Sequence, residues 1–142
     1  MPNTLRDGDE LAAVDLGSNS FHLVVARVEH GQIRVIDRLR EAVRLAAGLD
    51  ADGALSTAKR REALLCLSMF GQRLEHLPSE RVWVVGTQTL RKLKSPRAFL
   101  VAAETALGHP VEIVSGREEA RLIYLGVAHG LKETGDRRLV ID

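Results

Sequence analysis

Residues able to do chemistry are concentrated early, in the segment LAAVDLGSNSFHLVVARV, residues 11–28. An apolar run ending at Val14 meets Asp15, Gly17 and the polar tripeptide Ser18-Asn19-Ser20, and a second apolar run starts at Phe21. Asp, Gly and Asn are poor strand formers, so this pattern reads as strand, tight polar turn, strand. Gly17 would let the backbone take a positive φ or approach a ligand closely. Ser18, Asn19 and Ser20 would supply hydroxyl, amide and successive backbone N–H donors, a set that suits a phosphate. Asp15 adds a hard oxygen ligand of the kind Mg²⁺ takes, usually with retained waters and phosphate oxygens. An ordinary hairpin turn uses the same residue types, and that alternative stays open on this segment alone.

Two further polar clusters follow apolar runs. In the first, Gly86 to Arg91, Thr87 and Thr89 offer hydroxyls and Arg91 a guanidinium fork suited to phosphoryl oxygens. Lys92, Lys94 and Arg97 would continue a positive track away from it. In the second, Ser115 and Glu118 have capping-box spacing, which gives Glu118 a structural task and leaves Glu119 available as a general base for water. Ligands of open α/β sheets gather at the carboxyl ends of strands, so all three clusters are expected at one edge. Zinc-type ligand spacing is absent, because Cys66 is alone and the five histidines are unpaired in sequence. His22, in an alternating strand, and Cys66, in the run LLCLSMF, are expected to be structural.

The elements that position these clusters follow from periodicity. Strands are expected at the two runs flanking the turn and again over 33–39, joined tightly and hence largely antiparallel. Residues 41–53 read as a loop approaching the site. Ser56 caps a helix over 57–76 whose apolar stripe is Ala63, Leu67, Phe70, Leu74 and Leu77, stopped by Pro78. Val82–Val85 is a short buried strand, and Ser95-Pro96 opens a helix with Phe99, Ala102, Ala103, Ala106 and Leu107 inward, closed by Gly108. A strand over 111–114, a helix from about 116 to 129 and the beginning of another strand at Leu139 complete the order βββαβαβα. The architecture is an α/β domain with a five-stranded mixed sheet and flanking helices.

Length and composition agree with that class. At 142 residues, 45% hydrophobic and 27% charged, with a net charge of +1, the chain suits one soluble domain. Near-neutral charge gives no footprint of a nucleic-acid binder, and no apolar run is long enough to span a membrane. The polar start, residues 1–10, reads as a disordered tail without a signal-peptide core.

With these residues in hand, the chain resembles the Ppx/GppA family of exopolyphosphatases and guanosine pentaphosphate phosphohydrolases, and within it bacterial exopolyphosphatases most closely. AAVDLGSNSFHLVVARV, VVGTQTLR, SGREEARLIYLGVAH and the terminal LVID stand in the family's order. The resemblance implies an actin-like ATPase (ribonuclease H-like) domain over 11–136, with 137–142 starting a second domain. It implies Mg²⁺-assisted attack of water on the terminal phosphate of inorganic polyphosphate. Asp15 and Asp142 would face the metal, Gly17, Ser18, Asn19, Ser20, Thr87 and Arg91 would bind substrate, and Glu119 would activate the water. Family members continue beyond this point with a glycine-rich turn and a second domain, so the chain is expected to be the first part of a longer enzyme with little turnover by itself. Hydrolysis of guanosine pentaphosphate, tied to the stringent response, and a non-catalytic module binding polyphosphate or guanosine polyphosphates remain alternatives. A homodimer at full length is also expected, in the cytoplasm, with peripheral contact at the inner membrane left open.

Overall fold

The computed structural model describes residues 5–86 and 88–114. Five strands, β1 (Glu10–Leu16), β2 (Phe21–Glu29), β3 (Gln32–Glu41), β4 (Val82–Gly86) and β5 (Glu112–Ile113), form one mixed sheet in the order β3-β2-β1-β4-β5. β1–β2 and β2–β3 are antiparallel, whereas β1–β4 and β4–β5 are parallel. The helices are α1 (Thr57–Leu74), α2 (Gln88–Arg91) and α3 (Pro96–Leu107). The two long crossovers, β3 to β4 through α1 and β4 to β5 through α3, step across the sheet in the same direction. Right-handed connections of that kind put both helices on one face.

Side-chain alternation along β1 sorts the two faces. Ala12, Val14 and Leu16 are buried beneath the helices with Phe21, Leu23 and Val25 of β2, while Ala13 lies exposed on the opposite face. The predicted α1 stripe is buried throughout, from Ala63 to Leu77, and Ser56 caps the helix by accepting a 3.1 Å hydrogen bond from the Lys59 N–H. α3 buries Phe99, Ala103 and Leu107 and ends at Gly108 with φ 83°, the left-handed closure that glycine allows. At its other end, Ser95 occupies the N-cap position, but its side chain makes no capping bond.

Of the tail expected over residues 1–10, residues 1–4 lie outside the described residues and residues 7–10 are tied into the sheet. Gly8 N–H donates to the Val28 carbonyl at 2.7 Å, Val28 N–H to the Asp9 carbonyl at 2.8 Å, and Gly31 N–H to Asp7 Oδ1 at 3.0 Å. These bonds tie residues 7–9 to the β2 end and the β2–β3 turn, so they behave as an extension of β1. Loop 42–55 is also more ordered than a plain loop. It carries a 3-10 turn at Leu45–Gly48 and a bridge between Leu49 and Leu55.

Candidate functional site

The β1–β2 turn is held from three sides. Internally, Gly17 N–H donates to the Ser20 carbonyl at 3.1 Å. A side chain at Gly17 would bring its Cβ to 2.8 Å from that carbonyl oxygen, so glycine is required by close approach within the turn; Gly17 does not have a positive φ. From the second side, loop 42–55 reaches in as expected. Arg44 N–H donates to the Asn19 carbonyl at 2.9 Å and Ala46 N–H to the Ser18 carbonyl at 3.2 Å. From the third, the Ser18 hydroxyl hydrogen-bonds the buried Thr89 hydroxyl on α2.

The carbonyls of Ser18, Asn19 and Ser20 are therefore engaged while their own amides are not. Among the described residues no acceptor takes the N–H groups of Ser18, Asn19 or Ser20. Ser20 is buried, so its amide has little recourse to water. Successive free amides in a locked turn are a concavity suited to an anion.

Asp15 stands one step before this turn, paired across the sheet with His22 on β2 and Val85 on β4. Its Oδ1 is buried without a hydrogen-bond partner, and burial pushes the carboxyl up to about 6. An orphaned carboxylate oxygen beside an anion cradle fits a hard cation shared with phosphate oxygens. Among the described residues no group of three or more His, Cys, Asp or Glu side chains could hold a metal by itself. His22 is held below its ordinary value by burial and by Arg40, which agrees with a neutral, structural imidazole. Cys66 is buried, and burial pushes its thiol up to about 12.

Arg91 ends α2, and its guanidinium donates to the Val114 carbonyl. Val114 N–H in turn donates to the Gly86 carbonyl at 3.1 Å, which fastens the end of β5 to the end of β4. The first two sequence clusters thus meet through Ser18 and Thr89, while the third, residues 115–119, lies outside the described residues. Thr87, Glu119 and Asp142 lie outside the described residues. Sequence reasoning passed over Arg44 and α2. α2 is too short to leave a periodic signal, and Arg44 reaches the turn only through the returning loop.

Residues 24–142 match the Ppx/GppA phosphatase family. The chain belongs to that family. It is 48% identical over 131 residues to the guanosine-5'-triphosphate,3'-diphosphate pyrophosphatase of Vibrio vulnificus, covering 92% of this chain and 26% of the relative. It is 47% identical over 133 residues to a Haemophilus influenzae protein named "Putative exopolyphosphatase", covering 94% of this chain and 41% of that one. Among solved structures, the Aquifex aeolicus Ppx/GppA family member superposes with a TM-score of 0.75 at 28% identity, covering 87% of this chain and 40% of that chain. The fold is the actin-like ATPase domain of these proteins, and the chain spans about a quarter to two fifths of the curated relatives' length. The family is one of phosphatases, and its relatives carry names of two substrate classes. No helix among the described residues is long and apolar enough to cross a membrane.

Proposed function

We propose that this chain is the phosphate-binding part of an exopolyphosphatase, which removes the terminal orthophosphate of inorganic polyphosphate by attack of water. The observation carrying this reading is the trio of unengaged amides at Ser18, Asn19 and Ser20, next to the orphaned Asp15 carboxylate. In it, the amides cradle the oxygens of the phosphoryl group, and Thr87 and Arg91 contact the phosphates that follow. Glu119 orients the water and takes its proton. Asp15 and Asp142 would hold Mg²⁺, which when bound would neutralise charge on the phosphoryl oxygens. Positioning and charge neutralisation are the main demands of phosphoryl transfer, and the residue types meet them.

Guanosine pentaphosphate is the second reading, supported by the Vibrio relative's name. The two substrates present the same terminal phosphoryl group to the cradle, and competition between them in a phosphate-release assay separates the readings. If the site hydrolyses, Glu119→Gln in the protein at its relatives' length lowers the rate by about 10²–10⁴ with polyphosphate binding retained. An unchanged rate would remove Glu119 from the chemistry, and the absence of turnover in the parent protein would leave a binding module. The 142-residue chain alone is expected to release little phosphate from long polyphosphate; appreciable release would overturn that expectation.

A further inference from the structure

β3 ends the sheet order, with β2 on its inner side and no described strand paired to its outer side. It is ten residues long. Alternate residues of a terminal antiparallel strand direct N–H and C=O groups outward, where another strand can take them. Val35 and Ile36, both strong strand formers, are 40% and 37% exposed on it.

Register assigns the side chains of this edge to faces, because directly opposed residues share one. Ala13, on the face away from the helices, stands opposite Val24, and Val24 opposite Arg38. Asp15 leads in the same way through His22 to Arg40. Arg40 is near enough to His22 to add to burial in holding that imidazole below its ordinary value. The register shifts at Val25/Ala26, where β3 carries one residue more than β2, so Val35 and Ile33 oppose Ala26 and Val28 on this same face. From the end of β3 backwards, one face of the edge therefore presents two cations and then two apolar side chains. The other charges of β3 lie on the helix side. Asp37 pairs with Arg73 of α1, Arg34 opposes Arg27 and meets Glu29 at 3.5 Å, and Glu41 opposes the buried Phe21.

We propose that the outer edge of β3 docks an extended acidic segment of another protein, which joins the sheet as a further strand antiparallel to β3. A regular strand laid there as β2 is on the inner side puts its first and third residues opposite Arg40 and Arg38, and its fifth and seventh opposite Val35 and Ile33. Carboxylates suit the first two of these positions and β-branched side chains the last two. A second copy of this chain is the poorer match, because antiparallel pairing of β3 with itself about any of residues 36–40 sets arginine against arginine. The inference is independent of the phosphate reading.

The probe is the heptapeptide Glu-Thr-Glu-Thr-Val-Thr-Val, capped at both ends and labelled for fluorescence anisotropy, titrated with the 142-residue chain. Expected is saturable binding, weakened about two- to thirtyfold by Arg38→Gln with Arg40→Gln. N-methylation of one alternate set of peptide amides should abolish binding and methylation of the other set should leave it, since only one set faces β3. Equal effects of the two sets would overturn the proposal, because the arginines would then attract a polyanion without a strand forming. An unchanged affinity in the arginine variant would overturn it as well. So would no binding of the peptide, which leaves the arginines as guards against edge pairing, or a chain that dimerises through β3 and excludes the peptide.

Discussion

Burying the Asp15 carboxyl without a partner raises its pKa to about 6 from an ordinary 3.8, and the sign of that shift sets a pH dependence. The folded chain holds the proton more tightly than the unfolded one, so ionised Asp15 opposes folding above about pH 6. That opposition fades as pH falls from about 6 toward 3.8. Asp15→Asn should therefore stabilise the chain by roughly 1–3 kcal/mol at mildly alkaline pH and by almost nothing near pH 4. Denaturant melts of the two proteins at both pH values check this, and a variant less stable than the parent at the higher pH would contradict it. If Asp15 holds Mg²⁺ as proposed, Mg²⁺ should raise the parent's melting temperature and leave that of Asp15→Asn unmoved. Cys66 makes the opposite case. A buried thiol pushed up to about 12 should resist alkylation in the folded chain and react only on unfolding, as a timed iodoacetamide reaction would record.

At the scale of elements, α1 and α3 meet where α1 has a glycine. A Cβ on Gly71 would lie 2.7 Å from the Ala106 carbonyl oxygen and 2.8 Å from that of Leu107, both backbone atoms of α3. Alanine would gain about 1 kcal/mol of helix propensity, but separating two packed helices costs about 1–3 kcal/mol. The contact should win, and Gly71→Ala should lower the melting temperature; a rise would show that α3 can shift freely. The stripe that drives this packing was legible because Ala63, Leu67, Phe70 and Leu74 repeat with the helix period, and the alternation in β1 and β2 was equally plain. The short helix α2 was not, since four residues give no period to read. Nor was the tie of residues 7–9 to β2, because backbone pairing leaves no trace in a polar sequence. Asp15 and the Gly17–Ser20 turn could be picked out as candidates from their residue types alone. Arg44 could not, as its place beside Asn19 depends on a loop returning from β3.

Across the whole molecule the two ends of β1 are built differently. At its start, Glu10 accepts from Arg27 at 2.9 Å and meets His76 at 2.7 Å, Asp9 meets Arg81 at 3.3 Å, and the buried His109 joins Ser79 at 2.9 Å to the Leu74 carbonyl at 3.3 Å. His76 first and Arg27 second hold the Glu10 carboxyl below its ordinary range, so this end is fastened above pH 4.5 and loosens as Glu10 takes up a proton in more acidic solution. At the other end, the amides of Ser18, Asn19 and Ser20 are left unmatched beside the one buried carboxylate oxygen without a partner among the described residues. A molecule that satisfies its polar groups at one end and leaves amides unbonded at the other should gain stability from an anion that accepts from those amides. Binding only the folded state, orthophosphate at about 100 times its dissociation constant would add about 2.7 kcal/mol. In a chain of this size that amounts to a rise of roughly 5–15 °C in melting temperature. Chloride at matched ionic strength supplies charge screening without a tetrahedral oxyanion and should give a far smaller rise. Ser18→Ala, which cuts the hydroxyl tie between the turn and α2, should retain most of the fold and lose most of the phosphate-specific increment. Equal rises in phosphate and chloride, or an increment in Ser18→Ala as large as the parent's, would mean that the open end of the sheet is not where the anion binds.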